Sequence, residues 1–208
     1  MDITAFSNLL RRHDMAVFAM REAQVLVPCV RKTVLRLQLH QWCRKGWVRR
    51  LRRGLYELAY PEATALPDLW VANRLYEPSY VSLETALSQH QIIPETAAQV
   101  TSVTTRPTRR FKTPHGLFTY ATVRPAAFAG YALRRIQGRV VRIAEPEKAL
   151  MDRLYFGLRR GESLRELKEE RWDARLLRAM SRGRLSSYAA LFGFYRPRLE
   201  ERIHALLR

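Results

Sequence analysis

The chain has 208 residues, of which 47% are hydrophobic and 10% aromatic, so it can form one large or two small packed domains and is not globally disordered. Its formal net charge of +18 indicates a polyanionic partner. No apolar run approaches the ~20 residues of a membrane span, and the N-terminus lacks the apolar stretch of a signal peptide. We therefore expect a cytoplasmic protein that does not bind a membrane.

The positive charge is concentrated towards the two ends of the chain. Residues 1–60 carry 12 basic and 4 acidic side chains (+8), residues 61–130 carry 6 and 5 (+1), and residues 131–208 carry 19 and 10 (+9). Arg greatly outnumbers Lys among these residues, and a guanidinium group can bind a phosphate through two parallel hydrogen bonds. This preference favours a nucleic-acid surface, and a GC-rich genome is the alternative explanation for it.

The first sixty residues show the element order of a winged helix-turn-helix. A helix over 3–12 and a short extended segment at 17–18 precede a helical piece over 21–27, which Pro28 ends. A longer helix runs from Val30 to about Lys45, and Gly46 is suited to a left-handed C-terminal cap. Residues 47–58 then form two β-prone arms around a turn that contains glycine. We expect a DNA-binding domain over residues 1–60.

The longer helix has a basic face, and the turn after it is rich in Arg. At about 100° per residue, the basic and polar side chains of this helix share roughly a third of its circumference. A solvated face is the alternative interpretation, but the adjacent cluster of arginines favours binding to a polyanion. The residues predicted to bind DNA are Arg31, Lys32, Thr33, Arg36, His40, Arg44, Arg49, Arg50, Arg52 and Arg53.

Two apolar stripes run along the same helix. Val30, Val34 and Leu37 form the first stripe, and Leu35, Leu39 and Trp42 form the second. We expect one stripe to pack on the preceding helix and the other under the hairpin, with the basic face left for the major groove.

A linker between Pro61 and Pro67 separates this domain from a second one over residues 68–208. Helices are predicted at 68–75 and 83–90, and β-prone segments at 80–82, 100–105, 111–113, 117–123 and 140–143. These segments predict a small sheet of about four strands over residues 80–143. The basic loop 106–110 is either an exposed hairpin tip or a secondary contact with DNA or a partner. Its candidate contact residues are Arg106, Arg109 and Arg110.

The C-terminal third is predicted to be helical over residues 145–207. Pro146 follows Glu145 at a helix start that continues to about Phe156, and Ser163 with Glu166 forms a capping box. Further helical pieces are expected near 173–182, 186–192 and 197–207. The fold class is therefore α+β, with an N-terminal winged helix-turn-helix, a small mixed α/β domain and a helical C-terminal part.

One acidic segment is a candidate for catalysis. Glu145, Lys148 and Asp152 fall near one helical face, and carboxylates beside a lysine occur in metal-dependent nucleases. Helix capping with local ion pairs is the favoured interpretation, because no second carboxylate cluster completes a metal site. The histidines lack ligand spacing, and Cys29 and Cys43 are interpreted as ordinary buried or half-buried thiols. We predict no catalytic residue, no metal site and no cofactor, and hence no enzyme.

Four segments in order resemble the AbiEi family of type IV antitoxins and transcriptional regulators. They are Gly46–Tyr56; residues 80–90 with Ile92-Ile93-Pro94-Glu95; Val103-Thr104-Thr105-Arg106-Pro107 with Arg109-Arg110-Phe111; and Ile143–Asp152. The similarity covers about residues 5 to 200. It implies a repressor that binds double-stranded DNA at promoter repeats through its winged helix, in a toxin–antitoxin system of phage defence. It also implies a C-terminal domain that neutralises a nucleotidyltransferase-like toxin.

Several alternatives remain open. The chain is also consistent with a solitary regulator without a toxin, with a metal-dependent nuclease that a winged helix delivers to DNA, or with a protein-binding module whose DNA binding is incidental. If the target is an inverted repeat, a dimer should occupy half-sites about one or two helical turns apart.

Overall fold

The computed structural model describes residues 1–95 and 98–207, in which helices and strands are mixed along the chain. The predicted α+β class is confirmed. The chain divides into two units, the first comprising Met1–Pro67 and Phe111–Gly116, and the second comprising the rest from Asp68 onward. The sequence had assigned residues 111–116 to the second domain, whereas their contacts group them with the first unit.

The first unit contains three helices and a small antiparallel sheet with strand order β1-β3-β2. Its helices are α1 (Ile3–Arg12), α2 (Met20–Leu26) and α3 (Lys32–Arg44). Its strands are β1 (Val17–Ala19), β2 (Val48–Arg52) and β3 (Leu55–Leu58). Strand β3 pairs with both of the other strands, so the β2–β3 hairpin is tied to the segment that precedes α2.

An aromatic cluster lies at the centre of the first unit. The ring of Phe6 lies 5.6 Å from that of Phe18 and 5.0 Å from that of Trp42. Leu35 and Leu39 on α3 are buried in the same core. Burial of each such side chain contributes about 1.5–3 kcal/mol, so this stripe fixes the rotation of α3 about its own axis.

The first apolar stripe packs only in part as the sequence analysis predicted: Val30 packs against the core but precedes α3, which begins at Lys32, whereas the other two residues do not. Leu37 is 63% exposed and Val34 is 37% exposed. At about 100° per residue, both lie well over 90° from the centre of the stripe formed by Leu35, Leu39 and Trp42. Helix α3 buries only the face that carries Leu35, Leu39 and Trp42, so Val34 and Leu37 stay at the surface.

Gly46 ends α3 with φ +74°, in the left-handed region. Its N–H donates to the carbonyl of Cys43 (3.2 Å), and the N–H of Trp47 donates to the carbonyl of Trp42 (3.0 Å). This pair of bonds is the Schellman motif, and it confirms the predicted cap. The cap turns the chain directly into β2.

The second unit contains most of a six-stranded sheet with order β6-β7-β5-β4-β9-β8; residues 111–113 of β6 and Gly116, the first residue of β7, are grouped with the first unit. The strands of this sheet are β4 (Ser79–Val81), β5 (Val100–Thr104), β6 (Arg109–Thr113), β7 (Gly116–Thr122), β8 (Tyr131–Ile136) and β9 (Arg139–Ala144). Helix α4 (Asp68–Leu75) precedes the first strand of the sheet in the chain, and helix α5 (Leu83–Gln89) connects β4 to β5. A 3-10 turn at Pro125–Ala127 leads into β8.

The prediction of about four strands was therefore too low. Strand β8 is an edge strand whose residues are all exposed or half-buried, so it lacks the alternating burial that reveals a strand in sequence. Strand β6 includes Arg109 and Arg110, which the sequence analysis had placed in a loop. It is also an edge strand, where charged side chains are common.

Five helices complete the chain: α6 (Pro146–Arg159), α7 (Leu164–Glu169), α8 (Ala174–Ala179), α9 (Arg182–Ala190) and α10 (Arg196–Leu206), with a 3-10 turn at Gly193–Tyr195 before the last. Helix α6 runs past the predicted end at Phe156. The capping box is confirmed, because Ser163 Oγ accepts from the N–H of Glu166 (3.2 Å) and Glu166 Oε2 accepts from the N–H of Ser163 (2.7 Å). No helix within residues 1–95 and 98–207 has both the length and the hydrophobicity that a membrane-spanning segment requires.

Candidate nucleic-acid interface

The solvent-facing side of α3 carries the basic residues predicted from its periodicity. The buried stripe holds one side of the helix against the core, so the opposite side must face solvent. Five predicted side chains on this helix are exposed: Lys32, Thr33, Arg36, His40 and Arg44.

The β2–β3 hairpin contributes a second set of basic side chains. In the strand register Arg50 lies opposite Tyr56 and Arg52 opposite Leu55, with a bulge between Arg50 and Arg52. Gly54 has φ +78°, which allows the tight turn that follows Arg53. The bulge and the turn together change the direction of the arginine side chains at the end of the hairpin.

Helix α3 and the hairpin enclose a concave space of about 560 Å³, here called the α3–hairpin groove. Five basic residues predicted from sequence line it, three from the helix and two from the hairpin. No acidic side chain is among the described residues that line this space. The full lining consists of Met20, Lys32, Arg36, His40, Cys43, Arg50, Arg53, Gly54 and Tyr56.

The interior of the groove leaves this positive charge uncompensated. Burial raises the pKa of the Cys43 thiol, so that this group stays neutral and adds no negative charge. Tyr56, also part of the lining, stacks on the buried ring of Phe18 at 5.8 Å and is thereby held in place. Cationic side chains converging on a concave surface form a site for phosphate or another polyanion.

Other predicted residues lie outside the groove lining. Arg31 is exposed at the N-cap position of α3. On the hairpin, Arg52 is half-buried and donates to the carbonyl of Arg53 (3.1 Å). Arg49 lies 3.9 Å from Glu57, which is almost fully buried on β3. Sequence analysis missed this carboxylate: the period of two puts it on the same side of β3 as the buried Leu55, but only the bulged register of the hairpin pairs it with Arg49.

All three residues of the second basic cluster are exposed, and one of them also makes contacts within the protein. The guanidinium of Arg106 lies 4.8 Å from the centre of the Tyr76 ring and donates to the carbonyl of Glu77 (3.0 Å). Arg109 and Arg110 are exposed on the edge strand β6. Arg106 is therefore accessible but held by contacts within the second unit.

Glu145 occupies the N-cap position of α6, with Pro146 at the first helical position. Its carboxylate accepts hydrogen bonds from the hydroxyl of Tyr188 and the guanidinium of Arg184 on α9. The Tyr188 hydrogen bond and the neighbouring Arg184 lower the pKa of Glu145. This residue thus ties the start of α6 to α9.

Asp152, one turn further along α6 from Lys148, is completely buried together with it. One carboxylate oxygen binds Lys148 Nζ, and the other accepts from the hydroxyls of Tyr80 (3.0 Å) and Ser82 (2.8 Å). Burial, reinforced by the charge of Asp152, raises the pKa of Tyr80 and keeps it a donor. Both oxygens of Asp152 are occupied by protein groups, which is the arrangement of a structural ion pair.

The remaining candidate residues are the potential metal ligands and the two cysteines. Within residues 1–95 and 98–207 no group of three His, Cys, Asp or Glu side chains is placed to hold a metal ion. Cys43 is half-buried as expected, but Cys29 is exposed, which corrects its interpretation as a buried thiol. Cys29 lies in the turn between α2 and α3, directly after Pro28, where no helix face covers it.

Comparison with known proteins adds no assignment. No protein-family model matches the chain, and no curated protein matches it significantly.

Proposed function

We propose that residues 1–60 form a winged helix-turn-helix that binds double-stranded DNA. The observation that carries this proposal is the α3–hairpin groove, where two separate elements direct basic side chains into one space lined by no acidic residue among those described. So many like charges repel one another unless a polyanion screens them. A DNA phosphate backbone provides that screening along an extended path.

The dimensions of α3 suit the major groove. Its 13 residues span about 20 Å, and a major groove about 12 Å wide admits one such helix. Its exposed residues Lys32, Thr33, Arg36 and His40 are proposed to contact base edges. Arg44, Arg50 and Arg53 are proposed to hold phosphates, and Arg31, Arg49 and Arg52 to support this contact from the edges.

We further propose that the protein is a non-catalytic repressor and antitoxin of the AbiEi type. The support is the resemblance of four segments in the correct order, together with a contact between two of them. Tyr80 and Ser82 from one segment donate to Asp152 from another, so the resembling residues meet in one buried cluster of the second unit. Shared residues of this kind support a shared fold for that unit.

The proposed partners are promoter repeats and a nucleotidyltransferase-like toxin. DNA binding is tested by fluorescence anisotropy with the full chain, using the duplex upstream of its own coding sequence and a scrambled duplex of equal length. We expect tighter binding to the upstream duplex over a range of salt concentrations. Equal affinity for both duplexes at every salt concentration would contradict specific repression and favour the protein-binding alternative.

The antitoxin role is tested separately from DNA binding. The product of the adjacent reading frame is expressed with and without this chain, and growth is followed. We expect growth arrest by the neighbour and rescue by this chain, including a variant with Arg50→Ala and Arg53→Ala. A harmless neighbour, combined with specific promoter binding, would identify a solitary regulator.

A further inference from the structure

Leu37 is an exposed apolar side chain at the edge of the basic face of α3, on the side of the helix opposite the buried stripe. Its side chain is 63% exposed, whereas Leu35 and Leu39 on the same helix are fully buried. Its neighbours one turn away on the helix surface are Thr33, Val34, His40 and Gln41, all exposed. Leu37 is thus an apolar site with three polar neighbours and one apolar neighbour, Val34, on the side of α3 that points away from the core.

Packing within the first unit does not account for this position. The core face of α3 is occupied by Leu35, Leu39 and Trp42, so Leu37 has no place in that core. Single exposed apolar residues are common on protein surfaces and need no explanation by themselves. Here, however, Leu37 lies beside the side chains proposed to read bases, one helical turn from Thr33 and His40, on the outward side of α3.

The major-groove edges of DNA carry one apolar group, the C5-methyl of thymine. Hydrogen-bonding side chains read the remaining atoms, as Arg does for guanine O6 and N7. A leucine side chain has no donor or acceptor, and therefore it can read a base edge only through that methyl group. The methyl group of Thr33, one turn before Leu37, extends the same apolar contact.

We infer that Leu37 is a specificity-determining residue that recognises the C5-methyl group of a thymine in the major groove. This inference rests on the proposed DNA-binding function. It adds a base preference that the basic residues cannot provide, because cationic groups do not distinguish a methylated from an unmethylated pyrimidine edge by charge. The same methyl group occurs on 5-methylcytosine, so the recognised chemistry is a C5-methylated pyrimidine, with thymine as the source in unmodified DNA.

The test begins with duplexes selected from a random library by the full chain. In the best duplex, each thymine is replaced in turn by deoxyuridine, which removes the methyl group and leaves base pairing intact. We expect one replacement to weaken binding about fourfold, the value for loss of one buried methyl group. The Leu37→Ala variant should bind the thymine duplex more weakly than the wild type does. It should also bind the thymine and uridine duplexes with equal affinity.

The matched control is Leu133→Ala, because Leu133 on β8 of the second unit is 67% exposed and takes no part in the proposed interface. The Leu133→Ala variant should keep the full difference in affinity between the thymine duplex and the uridine duplex. Replacing the critical A·T pair by G·C, with either cytosine or 5-methylcytosine, separates the two sources of the methyl group. Tighter binding of the methylated duplex would show that the methyl group is read from either base.

The outcomes separate the inference from the proposed function. Sequence-selective binding without an effect of any thymine replacement would overturn the role of Leu37 and leave DNA binding intact. A thymine effect that persists in Leu37→Ala would assign methyl recognition to another residue and also overturn the inference. Failure to select any duplex would overturn the proposed function itself.

Discussion

Arg36 of α3 and Arg53 of the β2–β3 turn line the same groove, although a helix end, a cap and a strand separate them in sequence. The Gly46 cap and the burial of Val48 and Leu58 hold the hairpin beside α3. Two guanidinium groups from different elements of the first unit are therefore held in one concave space. Substitutions at the two positions should separate base recognition from phosphate binding.

Arg36→Ala is expected to relax sequence preference. If Arg36 binds a guanine through two hydrogen bonds, its loss should reduce discrimination at that base pair by about 1–3 kcal/mol. The measurement is the ratio of dissociation constants for the selected duplex and for duplexes altered at single positions. A uniform loss of affinity over all sequences would instead place Arg36 on a phosphate.

Arg53→Ala is expected to weaken all duplexes alike. One fewer phosphate contact should reduce the slope of log affinity against log salt concentration by about one unit. Arg165→Ala on α7 is the control for a change of net charge, because Arg165 is 89% exposed and pairs with Glu169 in the second unit. An equal change of slope in both variants would attribute the effect to overall charge and not to the groove.

Much of the first unit could be predicted because local rules determine it. The Gly46 cap and the basic face of α3 follow from single residues and a simple periodicity, and both are present. The exposure of the Leu37 side chain could not be predicted in this way. Periodicity shows that Val34 and Leu37 share a side of the helix, but only the packing of Trp42 against Phe6, which also contacts Phe18, decides which apolar stripe is buried.

The second unit was less predictable because its sheet depends on pairings distant in sequence. Every residue of strand β8 is exposed or half-buried, so its sequence shows no alternating pattern of burial. Its antiparallel pairing with β9 is what identifies it as a strand. The acidic segment on α6 left a catalytic site open beside the favoured interpretation of capping and local ion pairs, since sequence shows spacing but not burial. Pairing of Asp152 with Tyr80, Ser82 and Lys148 emerges only when β4 and α6 come together.

Lys148→Met should strongly destabilise the second unit. Removal of one partner leaves the carboxylate of Asp152 buried and partly uncompensated, which typically costs about 3–5 kcal/mol. The measurement is the free energy of unfolding in urea. Glu169→Ala, which removes the exposed pair with Arg165, is the control and should cost less than about 0.5 kcal/mol. Similar losses in both variants would show that the buried pair contributes no more than a surface pair.

His90 should make the second unit less stable in mild acid. Burial lowers the pKa of His90, whose Nε2 donates to the carbonyl of Ala144 (2.8 Å), so the neutral ring is favoured in the folded state. The unfolded chain binds the proton more tightly, and stability is complete above the ordinary histidine pKa of about 6.5 and declines below it. His90→Gln retains a donor without titrating. Its melting temperature should fall less than that of the wild type between about pH 7.5 and pH 5.5, and an equal fall would assign the loss to other groups.

The full chain is expected to leave DNA and RNA intact in the presence of Mg²⁺ or Mn²⁺. A nuclease would need carboxylate oxygens open to metal and substrate. Asp152 instead has both oxygens bound by protein groups at full burial, and Glu147 Oε1 accepts from the N–H of Ser181 (3.2 Å). Labelled single- and double-stranded substrates, followed over hours on a denaturing gel, provide the measurement. Cleavage that Glu147→Gln abolishes, in a variant that still melts as the wild type does, would restore the nuclease hypothesis and require α6 to expose this carboxylate when substrate binds.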